Sequence, residues 1–236
     1  LQTEIEDADV ISDWLSSRKG QKVYLRVPKI GQKEKLVELA AKNAHLVLSQ
    51  DKEKIKREEG RTIGAAKEIA GWLDLPPIHR MEAFDISNIS GFENVGSMVV
   101  YEKGKPKRSD YRKFRIKTVA GPDDYACMYE VLTRRLTDMI ECKENFSKRP
   151  DLIVIDGGFG QLHSVQKVLE KLELNIPLIS LAEKNEDICT LESNEPISLQ
   201  KSDNVVKLFQ RIRDEAHRFA ITFHRTLRGK SLKVSL

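Results

Sequence analysis

The chain has 236 residues, of which 40% are hydrophobic and 6% aromatic, enough for one large domain or a medium domain with an appendage. No run approaches the roughly 18 apolar residues of a membrane span, and Leu1-Gln2-Thr3-Glu4 has neither the basic flank nor the apolar stretch of a signal peptide. Forty Lys plus Arg against thirty-six Asp plus Glu leave a net charge of only +4, but the charges are unevenly placed.

Residues 1–13 carry five acids and no base. Residues 21–28 alternate apolar and polar and stop at Pro28, which predicts a short strand. Leu36, Leu39 and Ala40 fall at helical spacing over 33–45, and a second apolar helix over 62–75 ends at Pro76-Pro77, which cannot continue a helix. That proline pair is the predicted boundary, leaving residues 1–75 as a small appended α/β segment without recognisable chemistry. Beyond it, residues 81–88, 94–102 and 105–117 read as three antiparallel strands separated by Ser90-Gly91 and Lys103-Gly104. Pro122 opens a helix to about residue 141, with Asp123 and Asp124 in the first turn, where acids complement the dipole. Leu152-Ile153-Val154-Ile155 is a continuous apolar run, the mark of a central strand buried on both faces and parallel to a neighbour. A helix over 160–172, a strand over 177–181, a hairpin over 188–199 and a long amphipathic helix over 203–227 complete the order βββ-α-β-α-β-hairpin-α.

Two basic blocks stand out. Residues 103–117 carry eight bases against Asp110 alone, and residues 201–236 carry nine against three acids. Separated cationic blocks in a balanced chain suit a polyanion, because each cation beside a phosphate releases a counterion. Cys127, Cys142 and Cys189 form a scattered, odd set without C-x-x-C, which argues against disulfides and a cysteine zinc site and for a reducing compartment. A first residue other than Met makes the chain read as a piece of something longer.

The candidate chemistry lies in two carboxylates and a histidine. Alternation puts Met81, Ala83, Asp85 and Ser87 on one face of the first strand and Glu82, Phe84 and Ile86 on the other. Asp156 ends the buried strand just before Gly157-Gly158, where the crevice of an open α/β sheet forms. Should those strands be neighbours, the two carboxylates converge and favour a divalent cation. On the last helix His217 and His224 both lie at the edge of the apolar face, and spacing does not choose between them. Asp214-Glu215-Ala216-His217 spells the DEAH string of some helicases, yet no G-x-x-x-x-G-K-[ST] phosphate loop accompanies it. Gly157-Gly158-Phe159-Gly160 likewise departs from G-x-G-x-x-G.

Five strings together resemble the C-terminal half of the UvrC family of bacterial excinuclease subunits. They are Glu82-Ala83-Phe84-Asp85-Ile86-Ser87, the stretch from Gly104 to Arg112, Asp123-Asp124-Tyr125-Ala126, the stretch from Ile155 to Leu162, and the stretch from Gln210 to Ala220. The resemblance is strongest over residues 80–230. It implies a ribonuclease H-like α/β fold: a mixed sheet, an antiparallel three-strand meander plus parallel strands, flanked by helices. It further implies an endonuclease domain over 76–230, followed by a 231–236 tail leading to a helix-hairpin-helix module that this chain lacks. The implied activity is a Mg2+- or Mn2+-dependent 5′ incision in damaged double-stranded DNA, with UvrB as partner and no membrane. By motif the catalytic and metal-binding residues are Asp85, Asp156 and His217, with Asp124 a further catalytic candidate. Lys105, Lys107, Arg108, Arg112, Arg211, Arg213, Arg218 and Arg225 would hold the DNA backbone without reading sequence. The alternative is a DNA- or partner-binding module that keeps a nuclease fold without activity.

Overall fold

The structure, a computed structural model, describes residues 1–87, 94–119, 121–182, 187–193, 195–198 and 204–234, with side chains to residue 222. Chain contacts divide it into two compact units, Leu1–Glu58 and Glu59–Leu236. The division falls ahead of Pro76-Pro77, because the apolar helix before the prolines buries Ala65, Ala66, Ile69 and Ala70 in the core of the larger unit.

The smaller unit holds helix α1 (Ala8–Lys19) and most of helix α2 (Gln32–Glu59), neither with a buried residue. Gly20 takes a left-handed conformation (φ 69°) and caps α1 through its N–H on Ser16 O, a setting that favours glycine. Residues 21–28 form no strand. Val23 N donates to Ser16 Oγ at 2.8 Å, and Ser12 Oγ donates to Val23 O. The Val23 backbone groups are thus satisfied by serine hydroxyls of α1 rather than in a ladder, which one strand cannot make alone.

In the larger unit a π-helical turn (Gly60–Gly64) leads into α3 (Ala65–Trp72). Among the described residues the strands are β1 (Arg80–Ser87), β2 (Val95–Glu102), β3 (Lys105–Pro106), β4 (Arg112–Arg115), β5 (Leu152–Asp156), β6 (Leu178–Leu181) and β7 (Ile188–Cys189). The remaining helices are α4 (Asp124–Ile140), α5 (Phe159–Lys171) and α6 (Asn204–Val234). The sheet runs β3-β2-β1-β5-β6-β7, with β4 also on β2. β1 pairs antiparallel with β2 and parallel with β5, which is parallel to β6. Leu152 to Ile155 are fully enclosed, as a continuous apolar run between two parallel neighbours requires. This is the ribonuclease H-like mixed sheet.

The expected third meander strand is interrupted. β3 gives way to a 3-10 turn at Arg108–Asp110 before β4 resumes pairing with β2. Pro106 has no N–H to extend a ladder, and Arg80 Nη1 donates to Asp110 Oδ2 at 2.7 Å, pulling the turn inward. In the expected hairpin, Ile188 and Ile197 exchange both backbone hydrogen bonds at 2.9 and 2.8 Å; Asn194 and Leu199 lie outside the described residues.

The faces of the sheet carry different helices. Glu82, on the face opposite Asp85, is fully buried and receives Arg135 of α4 in a two-pronged pair, Nε to Oε2 at 3.0 Å and Nη2 to Oε1 at 2.7 Å. Arg80 Nε adds a third bond to Glu82 at 3.0 Å, and Arg135 also donates to the carbonyls of Phe146 and Lys148. On the Asp85 face α6 crosses β2: Ser97 Oγ donates to Ala216 O at 3.2 Å and Tyr101 Oη to Arg211 O at 3.0 Å.

Candidate active site

The parallel register sets the first relation. Phe84 stands level with Ile155 across β1 and β5, so the next residues, Asp85 and Asp156, stand level too and project to the same face. Neighbouring strands lie about 4.8 Å apart, so two acids far apart in sequence become lateral neighbours. Asp156 is half-buried at the strand end. Gly157 beyond it (φ 149°) meets the Gln161 side chain at 2.7 Å from where a Cβ would sit, and Gln161 Oε1 accepts from Gly158 N at 3.0 Å. The Gly-Gly pair therefore turns the chain at once into α5.

α6 supplies the second relation. His217 Nδ1 lies 3.7 Å from Asp85 Oδ2, with the imidazole 63% exposed and the carboxylate 9% exposed. Ser87 Oγ donates to the same Oδ2 at 3.2 Å. Burial pushes the Asp85 carboxyl up from its ordinary value, His217 and Ser87 oppose that, and the charge of Asp124 adds to it. Asp124, the first residue of α4, is thus close enough to be felt; the preceding Asp123 caps the helix by accepting from Ala126 N at 3.0 Å. Tyr125 packs its ring where a Gly160 Cβ would lie, at 2.3 Å, and its carbonyl accepts from Ser164 Oγ at 2.8 Å. The Asp-Asp-Tyr-Ala string and the Gly-rich turn after Asp156 are therefore packed against each other. His224 lies where side chains are not described.

Asp85 and His217 meet directly, and Asp156 and Asp124 flank them. Among the described residues no three His, Cys, Asp or Glu side chains form a cluster able to hold a metal, so the expected three-ligand set is not assembled as a cage. Magnesium in particular keeps water and substrate oxygens and takes only one or two protein carboxylates. Two level carboxylates with a third acid nearby fit a hard dication of that kind.

The basic residues are deployed unequally. Lys105, Lys107 and Arg108 are exposed on and after β3, and Arg108 Nε stands 3.8 Å from Glu215 Oε1. Arg112 stands level with Met98, on the α4 face, and donates to the Ser109 and Tyr111 carbonyls, each at 2.8 Å. Arg211 donates to the Lys207 and Arg61 carbonyls, and Arg213 lies 3.5 Å from Asp214. Arg218 grips Glu215 with two bonds of 2.7 Å, holding that carboxyl below its ordinary value. Arg225 lies outside the described side chains. Lys113, counted in the first basic block but not among the expected DNA contacts, stands level with Ser97, itself level with Asp85. Its ammonium sits 4.6 Å from the centre of the Phe219 ring. Counting alternation through the register, not along one strand, is the signal that finds it.

The model of the UvrC RNAse H endonuclease domain matches residues 70–221, and that of the UvrC Ribonuclease H-like domain matches residues 1–51. The chain is 57% identical to the UvrABC system protein C of Lachnospira eligens, over 98% of this chain and 39% of that protein. It is 41% identical to the protein of the same name from Alkaliphilus oremlandii, over 100% of this chain and 40% of that one. The chain thus spans about two-fifths of the length of these curated relatives. A crystal structure of human ENDOV aligns at 12% identity and a TM-score of 0.33, covering 44% of this chain and 46% of that one, too loose to argue from. On the strength of the model over 70–221, the chain belongs to the UvrC RNase H endonuclease domain family.

Proposed function

We propose that this chain is the part of a UvrC protein that makes the 5′ incision in damaged double-stranded DNA during bacterial excision repair, in the cytoplasm and in concert with UvrB. The family supports the nuclease role in excision repair; the side of the cut, the metal dependence and the residue roles are read from the site. The observations that carry it are the Phe84–Ile155 register, which sets Asp85 and Asp156 one residue further on neighbouring strands, and the approach of His217 to 3.7 Å from Asp85.

Asp85 and Asp156 would hold Mg2+ or Mn2+, which when bound acidifies a coordinated water and offsets charge on the phosphate. Asp85 Oδ2, steadied by Ser87 Oγ, faces Nδ1 and orients the imidazole. His217 then exchanges a proton at Nε2 with the attacking water or the leaving oxygen, since imidazole takes and returns a proton near neutral pH. Lys105, Lys107 and Arg108, with the Arg-rich face of α6, would hold the phosphodiester backbone without reading bases.

Asp85→Ala in the full-length protein should abolish 5′ cutting of a lesion-bearing duplex and leave the 3′ cut intact. Retained 5′ cutting removes Asp85 from the mechanism. A manganese titration of this chain and its Asp156→Asn variant separates the nuclease from an inactive binding module: the nuclease binds the ion and weakens with the substitution, whereas the inactive module binds none in either form. Incision of an RNA–DNA hybrid in preference to the DNA duplex would point instead to a ribonuclease.

A further inference from the structure

Ser97 lies in the middle of β2, fully enclosed, between Val95 and Val99 on the face that receives α6. Its position is doubly constrained. Across β1–β2 it stands directly opposite Asp85. Across the gap between sheet and helix its hydroxyl donates to the Ala216 carbonyl at 3.2 Å, one residue before His217. A backbone carbonyl has two lone pairs, so Ala216 can accept this bond and remain in the helix ladder. Ala216 and Ala220 are both buried, which lets α6 approach the sheet closely. The flank of α6 away from Asp85 is held by Phe219, edge-on to Tyr111 at 5.2 Å and beneath the Lys113 ammonium.

We propose that Ser97 is a positioning residue for the incision reaction: its hydroxyl fixes the axial height of α6 on the sheet and thereby sets His217 against Asp85. The inference rests on the reading that Asp85 and His217 act together. Among the described residues, this hydroxyl makes a side-chain hydrogen bond from the strand opposite Asp85 to the turn of α6 that carries His217. The second strand-to-helix bond, Tyr101 to Arg211 O, lies six positions before the histidine, more than one helical turn away. A helix displaced by a fraction of a turn separates imidazole from carboxylate without unfolding anything.

The alternative is that Ser97 is simply small enough to admit the helix, and two substitutions separate the roles. Ser97→Ala removes the hydroxyl and keeps the space, while Ser97→Thr keeps the hydroxyl and adds a methyl. Single-turnover 5′ incision is measured with the full-length chain in a reconstituted UvrABC system, as a rate at saturation and a half-saturating protein concentration. For Ser97→Ala we expect the saturated rate to fall about tenfold to a hundredfold, the scale of an ångström-sized misplacement, with half-saturation unchanged. Ser97→Thr should restore most of the rate. A wild-type rate in Ser97→Ala overturns the proposal, as does an equal loss in both variants. His217→Ala is run beside them: if it cuts normally, the underlying reading fails, whereas if it is inactive while Ser97→Ala is normal, only the positioning role fails.

Discussion

Asp85 bears the clearest conflict between stability and chemistry. Its carboxyl is buried, and burial raises its pKa against the opposing effect of His217. For an acid raised in the folded state, stability declines as pH climbs from the unfolded value through the folded one. Where it ionises, Asp85 therefore weakens the fold. Asp85→Asn should melt at or above the wild-type temperature at pH 7 while losing 5′ incision. A clear drop in melting temperature would mean that the carboxylate is held for structure. Glu82, three residues earlier on the other face, is the reverse case. It is buried among Arg135 and Arg80, and removing one partner of such a group leaves an uncompensated charge. Glu82→Ala should cost about 3–5 kcal/mol in urea unfolding; a loss under about 1 kcal/mol would show the cluster relaxes freely.

Among the elements, the β2–β3 turn is the most tightly specified. Gly104 has φ 72°, and a Cβ there would lie 2.5 Å from the Thr62 backbone in the π-helical turn. Both the left-handed conformation and the close approach to backbone require glycine. Gly104→Ala should destabilise by about 1–3 kcal/mol, the usual cost of overpacking, read as a lower urea midpoint with unchanged slope. The segment beyond that turn, β3 and the residues after it, carries the exposed cations Lys105, Lys107 and Arg108. If Lys107 and Arg108 meet phosphates, replacing both with Ala should lower the steepness of log affinity against log salt by about 2, near one per contact. An unchanged slope would place the DNA elsewhere. The Glu215–Arg218 pair means that Arg218→Ala changes the α6 surface as well as any phosphate contact.

Over the whole molecule four carboxylates, Glu102, Asp110, Glu130 and Glu215, are held below their ordinary values. Burial acts to raise Asp110, but hydrogen bonds from Arg80 and Ser109 outweigh it and bring the carboxyl down to about 2. Lys148 lowers Glu102, Arg218 lowers Glu215, and for Glu130 burial is outweighed by bonds from Thr118 and Lys117. For acids lowered on folding, the stabilisation is present above their ordinary values of 3.8 and 4.5 and is lost as pH falls through the folded values. The urea midpoint should therefore hold between pH 7 and 5 and fall steadily from about pH 4.5 toward 2. Asp85 runs against this trend, so a midpoint that rose on acidification would mean that these four carboxylates contribute nothing.

The periodicities that need only neighbours along the chain were legible in the sequence. Alternation assigned Asp85 and Glu82 to opposite faces, the unbroken Leu152–Ile155 run announced a parallel interior strand, and the apolar stripe delimited the core side of α6. These are local consequences of a period of two or 3.6 residues. Residues 21–28 show where that logic stops, since alternation without a partner edge ended as a segment tied to α1 through Val23. The 3-10 turn inside the third meander strand came from Arg80, distant in sequence, drawing Asp110 inward. Which of two equivalent histidines meets the carboxylate, which bases lie on its face, and that Ser97 ties β2 to α6 depend on strand register and helix height. Those are set when many apolar side chains pack at once, and no single stretch of sequence contains them.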